Sequence, residues 1–187
     1  MSSAEQLPMY AVLITGIPGA GKSTTSRALA ARYPFAAHIE GDVLSFEFVI
    51  SGLAEPFGSK AKQAEWRRQM DLRRKNMCLL ADSFADAGFV PILDDVATGP
   101  EEVASHLRLL KTRPLHLIVL APSLEVAAVR DAARKDSVLD VWLHLDAELR
   151  TKLVDHGRWI DTSELTVDET VDRILGAIAD GSSLYAE

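Results

Sequence analysis

The chain has 187 residues, a length that suits one domain and allows a sizeable core. Hydrophobic residues make up 48% and charged residues 25%, which excludes the disordered class and describes an ordinary globular protein. The net charge of −7 provides no global basic field to gather nucleic acid or an acidic membrane, so neither is expected as the main partner.

In chain order, the N-terminal MSSAEQLPMY lacks the basic-then-apolar order of a secretory signal. No apolar run anywhere reaches the roughly 18 residues of a membrane span. The only cysteine, Cys78, has no partner for an internal disulfide and fits a reducing compartment, so the chain is read as cytoplasmic. Apolar runs of strand length fall at 9–15, 36–40, 89–93, 115–121 and 159–161. Helical periodicity fills the intervals at 22–33, 43–51, 59–87, 101–111, 124–135, 146–155 and 167–180. The last helix opens with TVDE, a capping-box signature of Thr166 and Glu169. SGLAEPFGS reads as a loop and the terminal 181–187 as a flexible tail. This alternation predicts an α/β fold of three layers, a central parallel sheet of about five strands with helices on both faces, in a single domain spanning 1–187.

The first strand leads into GIPGAGKST, and Gly16 to Ser23 match the phosphate-loop pattern G-x-x-x-x-G-K-[ST] in the strand–loop–helix context that its mechanism needs. Gly16, Gly19 and Gly21 let the backbone turn its N–H groups toward a polyphosphate, a concavity that larger residues fill. The anion then lies at the positive end of the following helix. Gly16, Gly19, Ala20, Gly21, Lys22, Ser23 and Thr24 are therefore the candidate nucleotide cradle. Lys22 is expected to reach the β- and γ-phosphates, and Ser23 to offer its hydroxyl to Mg²⁺. The third strand runs into FVPILDD, which makes Asp94 and Asp95 candidates to hold that metal. Alternate residues of a strand face opposite sides, so either aspartate could serve it, and both could instead cap the strand end.

The long helical segment 59–87 carries a stripe at Trp66, Met70, Met77, Leu80 and Phe84, read as its core face, with Arg73 falling inside it. A guanidinium there needs an anionic partner or a cleft, so Arg73 either points at substrate or forms a structural salt bridge. The five histidines, His38, His106, His116, His144 and His156, show no metal spacing and read as structural or surface groups. Trp142 and Trp159 read as core or cavity walls.

The phosphate loop, the lone Asp42 after HIEG, the strand ending in DD, the arginines Arg130 and Arg134 four residues apart, and the ending IDTS together resemble the small P-loop kinases. That group includes shikimate and gluconate kinases and chloramphenicol phosphotransferase. The resemblance implies ATP and Mg²⁺ as cofactors and a hydroxylated small molecule, such as an antibiotic, a sugar acid or a metabolite alcohol, as acceptor of the γ-phosphoryl group. It makes Asp42 the general base beside the acceptor, with Arg73 and Asp95 as further acceptor contacts. It makes 124–140 a lid, with Arg130 against adenine and Arg134 on the transferring phosphate. The plainer readings are that Asp42 caps the helix 43–51, and that the lid arginines pair with Asp131 or Asp136. Rival functions are a polynucleotide 5′-hydroxyl kinase, a nucleoside monophosphate kinase, and a regulatory ATPase without an acceptor.

Overall fold

A computed structural model describes residues 9–134 and 137–185, with residues 140 and 141 described by backbone alone. Five strands form one sheet: β1 Ala11–Thr15, β2 Ala36–Glu40, β3 Val90–Asp94, β4 Leu115–Leu120 and β5 Arg158–Ile160. All neighbouring pairs are parallel and the order is β2-β3-β1-β4-β5, as the α/β reading requires. Among the described residues there are eight helices: α1 Lys22–Ala30, α2 Gly41–Phe46, α3 Lys60–Asp86, α4 Pro100–Leu109, α5 Leu124–Ala132, α6 Leu139–Trp142, α7 His144–Lys152 and α8 Val167–Ala179. The capping box at Thr166 and Glu169 is formed at the start of α8.

Every residue of β1, β3 and β4 is buried, because helices cover both faces of the sheet. The alternation of a strand divides β1 between two cores. Ala11 and Leu13 pack with Met77, Leu93 and Leu149 on one face, while Val12 and Ile14 pack with Leu29, Ile118 and Ile174 on the other. The chain leaves β1 in one direction to build β3 and β2 and in the other to build β4 and β5, so the end of β1 is the switch point where such sheets open a crevice. Register sets Ile14 beside Asp94 and Asp94 beside Glu40, which brings the ends of three strands to one edge.

Three expectations are corrected. The core face of α3 is built from Met77, Cys78, Ala81, Asp82 and Ala85, whereas Leu80 and Phe84 stay more than a third exposed. Small side chains let the helix backbone lie close to the sheet, and the larger ones flank it. Helix α2 starts at Gly41 and ends at Phe46, short of the expected 43–51. Lastly, residues 181–185 are docked and only 186 and 187 lie outside the described residues. Strand β5 pairs only with Ile118 to Leu120, leaving the first half of that edge of β4 open. The chain end fills it: Leu117 donates to the Ser183 carbonyl at 2.8 Å, Tyr185 donates to that of Leu115 at 2.9 Å, and His116 bridges Leu184 in antiparallel sense.

Cys78 is buried, and that burial pushes its thiol up to about 12. At pH 8 only about one thiol in 10⁴ is then ionised, and thiolate is the reactive form. Labelling with a thiol reagent is expected to be negligible in the native protein and complete after urea unfolding; fast native labelling would contradict this packing.

Candidate active site

The phosphate loop begins as β1 ends, and its glycines do what their positions demand. Gly16, Gly19 and Gly21 have φ of 151°, 78° and 94°. A Cβ at Gly16 would stand 2.5 Å from the Leu120 carbonyl oxygen, and one at Gly19 would meet the Ala127 carbonyl of α5. At these two glycines the loop is therefore wedged against β4 and α5 with no room for a side chain. Gly21 is the N-cap of α1 and supplies no side-chain acceptor, so the first amides of that helix remain free for an anion. The Lys22 ammonium rests 3.3 Å from the Ile17 carbonyl, folded back over the loop.

Around this cradle lies a cleft of about 450 Å³ whose walls include Lys22, Ser23, Glu40, Asp42, Asp94 and Arg134. Gly19, Ala20, Gly21, Thr24, Asp95 and Arg130 also line it, so of the expected site residues only Gly16 and Arg73 stand outside its wall. Gly16 lies behind the loop, shaping its backbone, and Arg73 reaches the cleft through Asp42 and Asp95.

The two strand-end aspartates face opposite ways. Asp94 turns toward His38, with 3.4 Å between its carboxylate and the ring, and the ligand atoms of His38, Glu40 and Asp94 lie within 4.8 Å of one another. Glu40 accepts a hydrogen bond from the Ser23 hydroxyl at 2.7 Å and pairs with Arg27 at 2.8 Å. Glu40 and His38 were not expected in the site. The only signal in HIEGD was two alternating polar side chains on one strand face, and its meaning depends on the register that sets Glu40 beside Asp94. One hydroxyl, two carboxylates and an imidazole so placed can hold a divalent cation, with the oxygens suited to Mg²⁺.

Asp95 points the other way, into a buried charge cluster. Its Oδ1 accepts from Arg73 at 2.5 Å and from the Val96 amide at 2.9 Å, while Oδ2 lies 3.2 Å from His106 Nε2. Burial pulls the Asp95 carboxyl upward, but the Arg73 charge and the His106 contact outweigh it and hold the group at about 2. The other ring nitrogen of His106 lies 2.8 Å from the Glu102 carbonyl. Both neighbours of the ring are oxygen atoms. Replacing His106 by Leu strips Asp95 of one partner and is expected to cost about 1–3 kcal/mol in urea unfolding; an unchanged midpoint would show that the contact is idle.

Arg73 joins this cluster to Asp42, 3.2 Å from its other Nη. It lies on the core side of α3, as its angular position implied, and pairs with both carboxylates, which gives it the salt-bridge role. Asp42 does not act as a cap: the N-cap of α2 is Glu40, and the Asp42 carboxylate reaches Arg73 from the first helical turn. Gly41 makes that approach possible, since a Cβ there would stand 3.0 Å from the Asp95 carboxylate. The cleft wall takes water from one side of Asp42 and raises its pKa against the pull of Arg73 and Lys22, while 56% of the side chain stays open to solvent.

Arg130 and Arg134 differ in attachment. Arg130 donates to the Thr162 hydroxyl at 3.2 Å and to the Thr162 carbonyl at 2.8 Å, which ties α5 to the loop after β5. Arg134 is half exposed, lies 3.5 Å from Asp131 and lines the cleft. Asp131 itself is buried and accepts from Ser137 Oγ and the amides of Val138 and Leu139, each at 2.8 Å, which ties α5 to the start of α6. Asp136 and the expected helix end at 135 lie outside the described residues.

A family model, the AAA domain, matches residues 12–152. The chain belongs to this AAA-domain family. No curated protein matches the chain in sequence. Among solved structures, this AAA-domain protein is similar to shikimate kinase from Bacteroides thetaiotaomicron, with a TM-score of 0.66 and 15% identity over 92% of this chain and 99% of the other. A sugar kinase from Janibacter sp. HTCC2649 gives 0.65 and 18% over 96% and 100%. The tunicamycin resistance protein of Deinococcus radiodurans gives 0.60 and 20% over 96% and 100%. The AAA-domain protein therefore has the fold of the P-loop small-molecule kinases. No described helix is long and apolar enough to cross a membrane.

Proposed function

We propose that the chain, acting as a single cytoplasmic kinase domain, transfers the γ-phosphoryl group of ATP to a hydroxyl of a small molecule, with Mg²⁺ as cofactor. The observation that carries this reading is convergence. The uncapped first turn of α1, Lys22, the Ser23–Glu40–Asp94 group, Asp42 and Arg134 all face one cleft of about 450 Å³. Main-chain amides and Lys22 bind the phosphates; Ser23, Glu40 and Asp94 would hold Mg²⁺, with Asp95 set aside by its pairing with Arg73 and His106. When bound, the cation neutralises phosphate charge, which is the main demand of this chemistry. Arg134 lies where it can swing onto the transferring phosphate, and Arg130 supports the adenine end through Thr162. Asp42, with a raised pKa and an open side, is suited to accept the proton of an incoming hydroxyl. The overall negative charge speaks against a polynucleotide as acceptor.

The deciding experiment follows ADP release from ATP and Mg²⁺ across a library of hydroxylated small molecules, with mass spectrometry to find the phosphorylated product. Acceptor-dependent ADP release is expected. Release that no acceptor alters would favour the regulatory ATPase and refute this reading.

A further inference from the structure

A second cavity, of about 340 Å³, lies between α2, the segment 47–58 and α3, with Arg73 in its wall. Because Arg73 also touches Asp42, the cavity adjoins the point where an acceptor hydroxyl must arrive. Building on the proposed phosphotransferase reading, we infer that this cavity seats the body of the acceptor, and that the acceptor is an uncharged alcohol with an apolar body rather than a carboxylate or a phosphate ester.

Charge disfavours the anionic classes. The basic residues of the wall are Arg68 and Arg73. Arg68 is held in bidentate fashion by Glu65, at 2.7 and 2.8 Å. Arg73 lies between Asp42 at 3.2 Å and Asp95 at 2.5 Å. An acceptor carboxylate or phosphate would compete with Glu65 for Arg68 and with two aspartates for Arg73, and would meet Glu65 in the wall as a like charge.

Shape and surface select the apolar body. Leu44, Val49, Leu53 and Leu72 line the cavity. Along its outer segment Phe46, Phe48, Ile50 and Phe57 face water, Phe48 at 70% and Ile50 at 88%. So many large apolar side chains turned outward within twelve residues mark a binding surface more than a random scatter. The wall is also fixed before anything binds. The Gln69 side chain accepts from the Ala54 amide at 2.9 Å and donates to the Gly52 carbonyl at 2.8 Å, clamping the segment to α3. Phe57 packs on Trp142 at 5.6 Å, and Trp142 stacks on Trp66 at 6.4 Å, which joins the segment's far end to both α3 and α6. With the acceptor so held, its oxygen forms the new bond to the γ-phosphorus as the bond to the bridging oxygen breaks. The electron pair leaves with ADP and the hydroxyl proton passes to Asp42.

The test measures initial rates for matched acceptor pairs across a library of aryl and alkyl alcohols, phenyl β-D-glucoside against phenyl β-D-glucuronide among them. The neutral member is expected to have at least a tenfold higher kcat/KM. In Glu65→Gln, which frees Arg68, that gap should narrow about tenfold through the KM of the anionic member, and Gln69→Ala should raise the KM of the neutral member with the Kd of ATP unchanged. A faster anionic member overturns the inference and leaves the phosphotransferase reading intact. ADP release that no member of the library alters overturns that reading and the inference with it. If Ile50→Asp converts a dimer to a monomer in sedimentation with acceptor KM unchanged, the apolar segment is a subunit interface and the inference fails.

Discussion

Replacing Lys22 by Met is expected to lower kcat/KM for phosphoryl transfer by about 10³-fold or more, the scale of losing one preorganised charge from a transition state. The side chain touches only the Ile17 carbonyl at 3.3 Å and lies at the mouth of the loop, so its removal leaves both cores untouched. The thermal midpoint should therefore match that of the unaltered protein, which separates a catalytic loss from a folding one. Most of the loss should appear in kcat, because the free amides of α1 still bind the polyphosphate. A variant that retained even a tenth of the activity would mean that Lys22 does not reach the transferring group.

Asp42→Asn is expected to reduce kcat by about 10²- to 10⁴-fold, the range for loss of a positioned base, with the Kd of ATP nearly unchanged. Asn keeps the shape and can still accept from Arg73, so the Arg73–Asp95–His106 cluster should survive. The pH profile gives an independent signature. A base works only when ionised, and the cleft wall raises the pKa of Asp42 while Arg73 and Lys22 resist the rise. Activity should accordingly fall with decreasing pH at a higher pH than an ordinary carboxylate would give, and the Asn variant should lose that acid limb. Equal losses in turnover and ATP binding, or an unmoved acid limb, would remove Asp42 from the role of base.

Much of the molecule was legible in one dimension because its determinants are local. The glycines and lysine of GIPGAGKS specify a loop whose backbone angles only glycine adopts readily, and the apolar runs specify strands buried on both faces. The capping box of α8 is likewise a contact between residues three apart. Other features depended on pairs far apart in the chain. Glu40 lies in the cleft wall because register sets it beside Asp94, and the Asp95 carboxylate turns away from Asp94 to pair with Arg73 and His106. The chain end docks because β5 is too short to cover β4, a fact about another strand. The sequence by itself determined the phosphate cradle and the parallel sheet that carries it, since both follow from the conformational limits and hydrophobic period of neighbouring residues. Only the tertiary structure decided which acidic groups line the cleft, how Arg73 is shared between Asp42 and Asp95, and that both arginines beside the second cavity are paired with carboxylates. Ion pairs across long loops depend on how close folding brings the charges, and no local pattern of residues records that distance.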